Sequence, residues 1–364
     1  MAQKRSDSGF VDISSKTQVV KLYKKKGRIV RIVALVLSII MIIAGAVIVK
    51  AYSTMDSVNY QDLEDIEETD NTQNSNDDPG AFNTTVNDSD LLSDSKVLNV
   101  MLFGEDNHSK GTTGRSDSLM LMSIDNREKK LKLTSFQRDT FVYIPGHGYD
   151  KITTAYSYGG AALAIKTVEA NFGIKIDRYA VVDFQSFQKI IDTLGGLKIN
   201  LSKDEVEYIN WQMYINKQTP ERHLLEEKDG VITLTGQQAL WYARDRGYDG
   251  IQAGDDWDRT KRQRKLINTV IKSMKNASVT ELIDIITAVG PLITTNLKKS
   301  EITGLATHAL TYVNYPMKSY TVPQKNLWSY YDDPEAGSCI QINDMKKCRQ
   351  KLAKFLYASL LKDE

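Results

Sequence analysis

Cysteine is scarce: Cys339 and Cys348 are the only two in 364 residues. They lack the strong paired-thiol spacings that hold zinc. A bridge between them and a pair of buried free thiols both stay open, and neither would be catalytic. No Ser–His or Cys–His nucleophile arrangement is evident, which turns attention from covalent catalysis to direct transfer. The chain also lacks an internal repeat and a helix-turn-helix signature. Net charge is almost absent, at +1, yet the charges behind that small difference are spread unevenly.

Residues 1–31 hold nine Lys and Arg against Asp7 and Asp12, and the following run, 32–49, is apolar or small except for Ser38. At 1.5 Å per residue that run covers about 27 Å, enough for the hydrocarbon of a bilayer. It is too long and begins too late for a cleaved signal peptide, and the basic charge ahead of it places the N-terminus in the cytoplasm. The sequence therefore predicts a basic cytoplasmic tail (1–31), a single-pass transmembrane helix (32–49) in the cell membrane and an extracytoplasmic remainder. Residues 51–95 carry twelve Asp and Glu and no Lys or Arg. Such a composition buries too little apolar surface to offset ordering, so 50–96 is expected to be an acidic, disordered stalk, with a binding tail for a basic partner as the alternative.

Residues 97–364 carry 36 Lys and Arg against 32 Asp and Glu, a mildly basic balance that suits an anionic ligand. Short apolar runs alternate here with helical periodicity, which argues a mixed α/β layered domain. Strands are expected at 97–103, 118–124, 130–136, 179–184 and 197–201. Helices are expected at 161–172, 185–194, 236–242, 255–275, 280–289, 301–313 and 343–361, and Gly195-Gly196 reads as a helix stop. One exported domain is favoured, with its main part at 97–276. The portion 277–364 either completes the core or forms a small appended unit with a Tyr-rich strand edge (Tyr312, Tyr315, Tyr320).

Four segments place Arg and Asp where structure alone would not ask for them. Gly104-Glu105-Asp106-Asn107-His108 follows the first strand, and the C-terminal ends of strands are where open α/β sheets bind ligands. Arg115-Ser116-Asp117 leads into the second strand, and Arg138-Asp139 ends the third, positions at which rigid elements hold side chains well. Arg244 and Arg246 end a helix; if the chain is extended there they point to one side, and two guanidinium forks favour phosphate oxygens. Each segment alone is also explained by a turn or a surface ion pair. In the helix after them, the stripe Leu266, Ile267, Val270 and Met274 defines an inward face. Arg259 and Gln263 project onto that stripe, Lys261 and Lys265 onto the far side, and Arg262 onto the flank. A buried Arg is costly unless paired, so Arg259 points to an anion or a carboxylate. Because these charges do not share one surface, the helix is not a nucleic-acid stripe.

In order, the chain reads Gly-x-Asp106, Arg115-Ser-Asp117-Ser, Ser-x-x-Arg138-Asp-Thr-Phe-Val-x-Ile-Pro-Gly and Lys151-Ile-x-x-Ala-Tyr-x-Tyr-Gly-Gly. Then follow Leu-Gly-Gly, Leu-Thr-Gly-x-Gln-Ala-Leu-x-Tyr-x-Arg244-x-Arg246 and Asp-x-x-Arg259-x-x-Arg-Gln263. This series, over 97–275, resembles the LytR-CpsA-Psr family, as do the anchor and its orientation. The resemblance implies an exported α/β/α domain with an apolar lipid pocket and a phosphotransferase activity. A glycopolymer (teichoic acid, capsular or other wall polysaccharide) would pass from undecaprenyl pyrophosphate to peptidoglycan, forming a phosphodiester and releasing undecaprenyl phosphate. It further implies Mg²⁺ or Mn²⁺ on Asp106 and Asp117, with Arg138 also catalytic. Arg115, Arg138, Arg244, Arg246, Arg259 and Gln263 would surround the pyrophosphate; Lys151 would be either a ligand contact or a structural partner. Two positions depart from the family pattern: His108 where many members carry Arg, and Gln137 where Pro is common.

The residues suit this chemistry independently, since phosphoryl transfer needs positioning and charge neutralisation, and Mg²⁺ takes one or two carboxylates plus substrate phosphates. A non-catalytic polyprenyl-glycan binding protein and a pyrophosphatase using water as acceptor would employ the same pocket. Topology argues against a transcriptional role, so no nucleic-acid partner is expected.

Overall fold

The computed structural model describes residues 58–63, 90–106, 114–221, 223–245, 247 and 255–358, with only the backbone described at 115, 276, 279, 280 and 283. The expected tail and transmembrane segment, 1–31 and 32–49, lie outside these residues. Among the described residues no helix is long and apolar enough to cross a membrane.

In chain order the strands are β1 (Asn59–Tyr60), β2 (Val97–Asp106), β3 (Arg115–Asp125), β4 (Lys130–Phe136), β5 (Phe141–Ile144), β6 (Gly148–Lys151), β7 (Arg178–Asp183), β8 (Leu197–Leu201), β9 (Gly230–Leu234), β10 (Thr294–Thr295), β11 (Met317–Val322), β12 (Trp328–Asp333) and β13 (Gly337–Ile342). The helices are α1 (Thr154–Phe172), α2 (Phe184–Thr193), α3 (Lys203–Ile215), α4 (Gly236–Arg244), α5 (Asp256–Ser273), α6 (Val279–Val289), α7 (Lys299–Thr307), α8 (Ala309–Tyr312) and α9 (Met345–Tyr357). Seven strands form a mixed central sheet in the order β1-β10-β7-β2-β3-β4-β11. β3 runs antiparallel to β2 and β4, while β7 is parallel to β2 and β11 is parallel to β4.

Strand alternation sends successive side chains to opposite faces. Met101, Phe103, Leu119 and Leu121 pack with Val168 and Phe172 of α1 and with Leu352 and Leu356 of α9. Leu102, Met120, Ala180 and Val182 look the other way, across a cavity bounded by α2, α4 and α5. A second cluster beyond that cavity joins Ile191, Ile199, Ile209, Ala239, Tyr242 and Leu266. Helices thus cover both faces, which explains why β4 is buried from Leu131 to Phe136 without alternation.

Several expectations change in the folded chain. The first helix begins at Thr154, ahead of the expected start at residue 161, because Gly159 and Gly160 interrupt its periodicity with non-helical backbone (Gly160 φ 58°, ψ −152°). Helix α3 was not expected, although Ser202 and Glu205 form a reciprocal capping box at its start. Strand β8 leaves the central sheet and pairs with β9 alone. Of the expected stalk 50–96, the described residues 58–63 and 90–96 pack against the domain. Tyr60 pairs with Thr295, Leu91 is buried, and Arg127 Nη2 holds Asp94 at 2.8 Å. A strand pairing at Tyr60, a buried Leu91 and the carboxylate of Asp94 supply these anchors.

The C-terminal portion is built into the core, through β11 against β4 and α9 in the main cluster. Of the three tyrosines taken for a strand edge, Tyr320 alone lies in a strand; Tyr312 ends α8 and Tyr315 follows it. Cys339 and Cys348 are both free and buried, and burial pushes the Cys348 thiol up to about 11. Gln137 is buried and its backbone N–H donates to Val322 O at 2.9 Å. Proline there would lack that donor.

Candidate functional site

One edge of the sheet gathers the end of β2, the start of β3 and the ends of β4 and β7, because β3 is antiparallel to its neighbours. Asp106 follows Leu102 and Gly104 on the cavity side by simple alternation. Asp117 does not: its parity matches Leu119 and Leu121, which face α1. The register between β2 and β3 slips at Gly104/Glu105, pairing Gly104 with Ser118 and Glu105 with Ser116, so Asp117 is the extra residue. A β-bulge re-aims its residue. Asp117 accordingly lines the same cavity as Asp106, beside Ser118.

Arg138 lies just past β4, with its guanidinium among three carboxylates. Its Nη1 donates to Asp117 Oδ1 at 2.9 Å, and its Nε lies 3.4 Å from Asp139 Oδ2 and 3.4 Å from Asp256 Oδ1. Burial alone would lower the Arg138 pKa, but the three carboxylates together raise it. Asp139 is shared with Lys151 Nζ at 3.5 Å. Asp256 opens α5, where Asp255 caps the helix by accepting from the N–H groups of Trp257 and Asp258, and an acidic first turn suits the helix dipole.

On α5, Arg259 is 4% exposed and its Nη2 holds Asp256 Oδ1 at 2.6 Å. Arg259 and Gln263 both line the cavity, and Lys261 on the far side is 66% exposed. Lys265 is less solvated than its position implied, for its Nζ sits 5.5 Å over the Tyr242 ring. Arg262, which the helical projection left on the flank, is 7% exposed and donates from Nη2 to the Asp245 carbonyl. Burial pushes Asp245 up to about 6, against the Gly247 N–H and Arg262, which favour its charged form. Arg264 Nη1 donates to Ser135 Oγ at 3.0 Å.

Arg244 is the last residue of α4, so the chain is helical there rather than extended. Its guanidinium lies 4.6 Å over the Phe184 ring and 5.7 Å from that of Trp241, with Nη2 3.9 Å from Asp106 Oδ2. Stacking on two aromatics holds a cation without consuming its in-plane donors. Arg246 and His108 lie outside the described residues, as does the Arg115 side chain; the Arg115 backbone pairs with Asp106. Lys151 is a partner of Asp139 and is not among the cavity-lining residues. The structure therefore brings together Asp106, Asp117, Arg138, Arg244, Arg259 and Gln263. Sequence reasoning missed Asp256, Tyr208, Gln212 and Phe184, of which only Asp256 carried a signal, as an acidic residue just after a helix cap.

The cavity at this mouth is about 600 Å³. It continues into a second of about 310 Å³, lined by Leu102, Met120, Val182, Phe187, Ile190, Ile267, Val270 and Ile271. Gly104, Ser118, Phe184, Leu240, Ala243 and Gln263 belong to both. Among the described residues, the ion pairs at the mouth link Arg138, Lys151, Arg244 and Arg259 to Asp106, Asp117, Asp139 and Asp256. A doubly charged anion entering beside Asp106 and Asp117, which line the same cavity, meets their negative charge, which a divalent cation would offset. Among the described residues no group of three or more His, Cys, Asp or Glu could hold a metal alone. Asp106 and Asp117 thus fit an ion that completes its shell with water and ligand phosphates, the habit of Mg²⁺.

A mixed α/β/α sandwich with a charge-paired mouth at its sheet edge and an apolar tunnel behind it defines a receptor suited to an amphiphile with an anionic head. The chain belongs to the LytR_cpsA_psr family, whose model matches residues 51–350. It is 35% identical over 213 residues to the polyisoprenyl-teichoic acid–peptidoglycan teichoic acid transferase TagT of Bacillus subtilis (strain 168), covering 57% of this chain and 62% of TagT. It is 34% identical over 251 residues to the regulatory protein MsrR of Staphylococcus aureus (strain COL), covering 68% of this chain and 70% of MsrR. A solved structure of TagT with bound octaprenyl pyrophosphate lipid superposes with a TM-score of 0.53 at 26% identity, covering 72% of this chain and 91% of that one.

Proposed function

We propose that this protein transfers a glycopolymer from a polyprenyl pyrophosphate carrier to peptidoglycan. The observation that carries the reading is the continuity of the mouth with the apolar tunnel: one end suits a diphosphate, the other an isoprenoid chain. The similarity to TagT, a teichoic acid transferase that has a structure with bound octaprenyl pyrophosphate lipid, supports the same substrate class. Teichoic acid, capsular polysaccharide and other wall polysaccharides all meet this chemistry.

Arg244 and Arg259 bind the diphosphate, and Arg138 faces the charge that develops during transfer, where fixed donors act most strongly. By the family resemblance Arg115 and Arg246 serve the diphosphate as well, and Gln263, which lines both cavities, donates at their junction. Asp106 and Asp117 would hold Mg²⁺ or Mn²⁺, which when bound supplies neutralisation of the diphosphate. A hydroxyl of the peptidoglycan acceptor attacks the glycan-side phosphorus, the bridging P–O bond breaks, polyprenyl phosphate departs, and the hydroxyl proton passes to a carboxylate of the mouth. The segment 32–49 anchors the chain in the cell membrane with the domain outside the cytoplasm, which keeps the site beside its lipid donor.

The test incubates the full-length chain in detergent with Mg²⁺, a polyprenyl-pyrophosphate glycan and peptidoglycan oligomers. Polyprenyl phosphate and glycan-bearing oligomers are expected, with turnover lost on adding a chelator and restored by Mg²⁺ or Mn²⁺. If water were the only acceptor ever used, the transferase reading would fail.

A further inference from the structure

Outside the mouth, three aromatic side chains form a run that the function above leaves unused. The rings of Trp257 and Trp328 stack with centroids 4.9 Å apart and planes 22° apart, and Tyr330 stands edge-on to Trp328 at 5.0 Å. Tyr330 is 67% exposed, so the run is not simply core.

This run is tied to the mouth from two sides. Trp257 directly follows Asp256, whose carboxylate meets both Arg138 and Arg259. Trp328 and Tyr330 belong to β12, in register with Ile342 and Ile340 of β13. Ile340 N in turn donates to Asp139 O at 2.8 Å, next to Arg138. Two interstrand spacings, about 10 Å, therefore separate Tyr330 from the backbone beside Arg138. Trp328 and Tyr330, two residues apart in a strand, share one face.

Aromatic rings present a negative face that attracts polarised C–H bonds. A β-1,4-linked amino-sugar strand offers flat pyranose faces of axial C–H groups, with its polar substituents at the equator. We infer that Trp257, Trp328 and Tyr330 form the subsite that seats the acceptor glycan, laying a sugar unit within reach of the phosphorus held at Arg138. This deepens the proposed transfer and rests on the mouth being the donor site.

The experiment titrates the full-length chain in detergent with soluble oligomers of alternating β-1,4-linked N-acetylglucosamine and N-acetylmuramic acid, read by calorimetry and tryptophan fluorescence. Tyr330→Ala and Trp328→Ala are expected to raise the Kd at least tenfold, Trp328→Phe to recover most of the loss, and all three to bind a polyprenyl diphosphate as wild type does. Tyr330→Ala is the decisive variant, since its exposed ring can be removed without a folding defect. Failure of the oligomers to bind wild type, or equal binding by wild type and Tyr330→Ala, overturns the subsite. Binding is read without turnover: oligomers that bind through these rings but are never joined to the glycan would uphold the subsite and sink the transferase reading alone.

Discussion

Arg138→Ala removes a guanidinium that lies 2.9 Å from Asp117 and 3.4 Å from both Asp139 and Asp256. At an effective dielectric of about 20, opposite unit charges about 4 Å apart attract by about 4 kcal/mol. Three such neighbours account for an Arg pKa that is raised despite burial. Loss of one preformed donor facing a developing oxyanion costs about 2.7–4 kcal/mol, or about 10²–10³ in kcat. That loss is the expected outcome for Arg138→Ala, together with weaker donor binding, because three carboxylates are then left facing the diphosphate. Arg138→Lys keeps the charge but not the fork that reaches several oxygens, and should recover only part of the rate. Lys151→Ala leaves Asp139 still beside Arg138, so its cost should stay near that of a partly exposed pair, about 1 kcal/mol or less. The assay is single-turnover release of polyprenyl phosphate at saturating donor. Rates for Arg138→Ala within about threefold of wild type, or a Lys151→Ala defect as large as that of Arg138→Ala, would refute the placement of Arg138 at the reacting phosphorus.

Ala243 lines both mouth and tunnel, so Ala243→Trp should block the junction. Since each buried methylene contributes about 0.8 kcal/mol, calorimetry should show the loss growing with isoprenoid length while pyrophosphate binding holds; a length-independent loss would disprove the tunnel. A Cβ at Gly236 would come within 2.1 Å of Gln188 O, so Gly236→Ala is expected to destabilise by about 3 kcal/mol in denaturant unfolding, and an unchanged midpoint would contradict the close α2–α4 approach. Asp245 titrates near 6 rather than at 3.8, chiefly through burial. With the folded pKa above the unfolded one, its burial penalty is present above pH 6 and relieved as pH falls from 6 to 3.8. The wild type should therefore gain roughly 3 kcal/mol on Asp245→Asn between about pH 7 and pH 4, and a stability difference independent of pH would show the carboxyl to be solvated.

By itself the sequence determined the strands 130–136 and 197–201, the strip of helix that turns Arg259 inward and Lys261 outward, and the family. These depend on local periodicity, and the inward Arg followed from rotation at 100° per residue. The Arg and Asp identities were legible too, but their meeting was not. Asp117 joins Asp106 only because a bulge breaks the β2–β3 register, and nothing local to residues 115–118 announces it. Asp256 was hidden as an ordinary first-turn carboxylate until tertiary packing set it against Arg138 and Arg259. Arg244, expected to work from an extended segment, instead ends a helix and stacks on Phe184 across 60 residues of sequence. The pairing of the late strand β11 with β4 across the chain was invisible for the same reason. Period and composition record what each segment wants from its own neighbours, whereas register, bulges and distant ion pairs depend on which segments meet, and only the folded chain decides that.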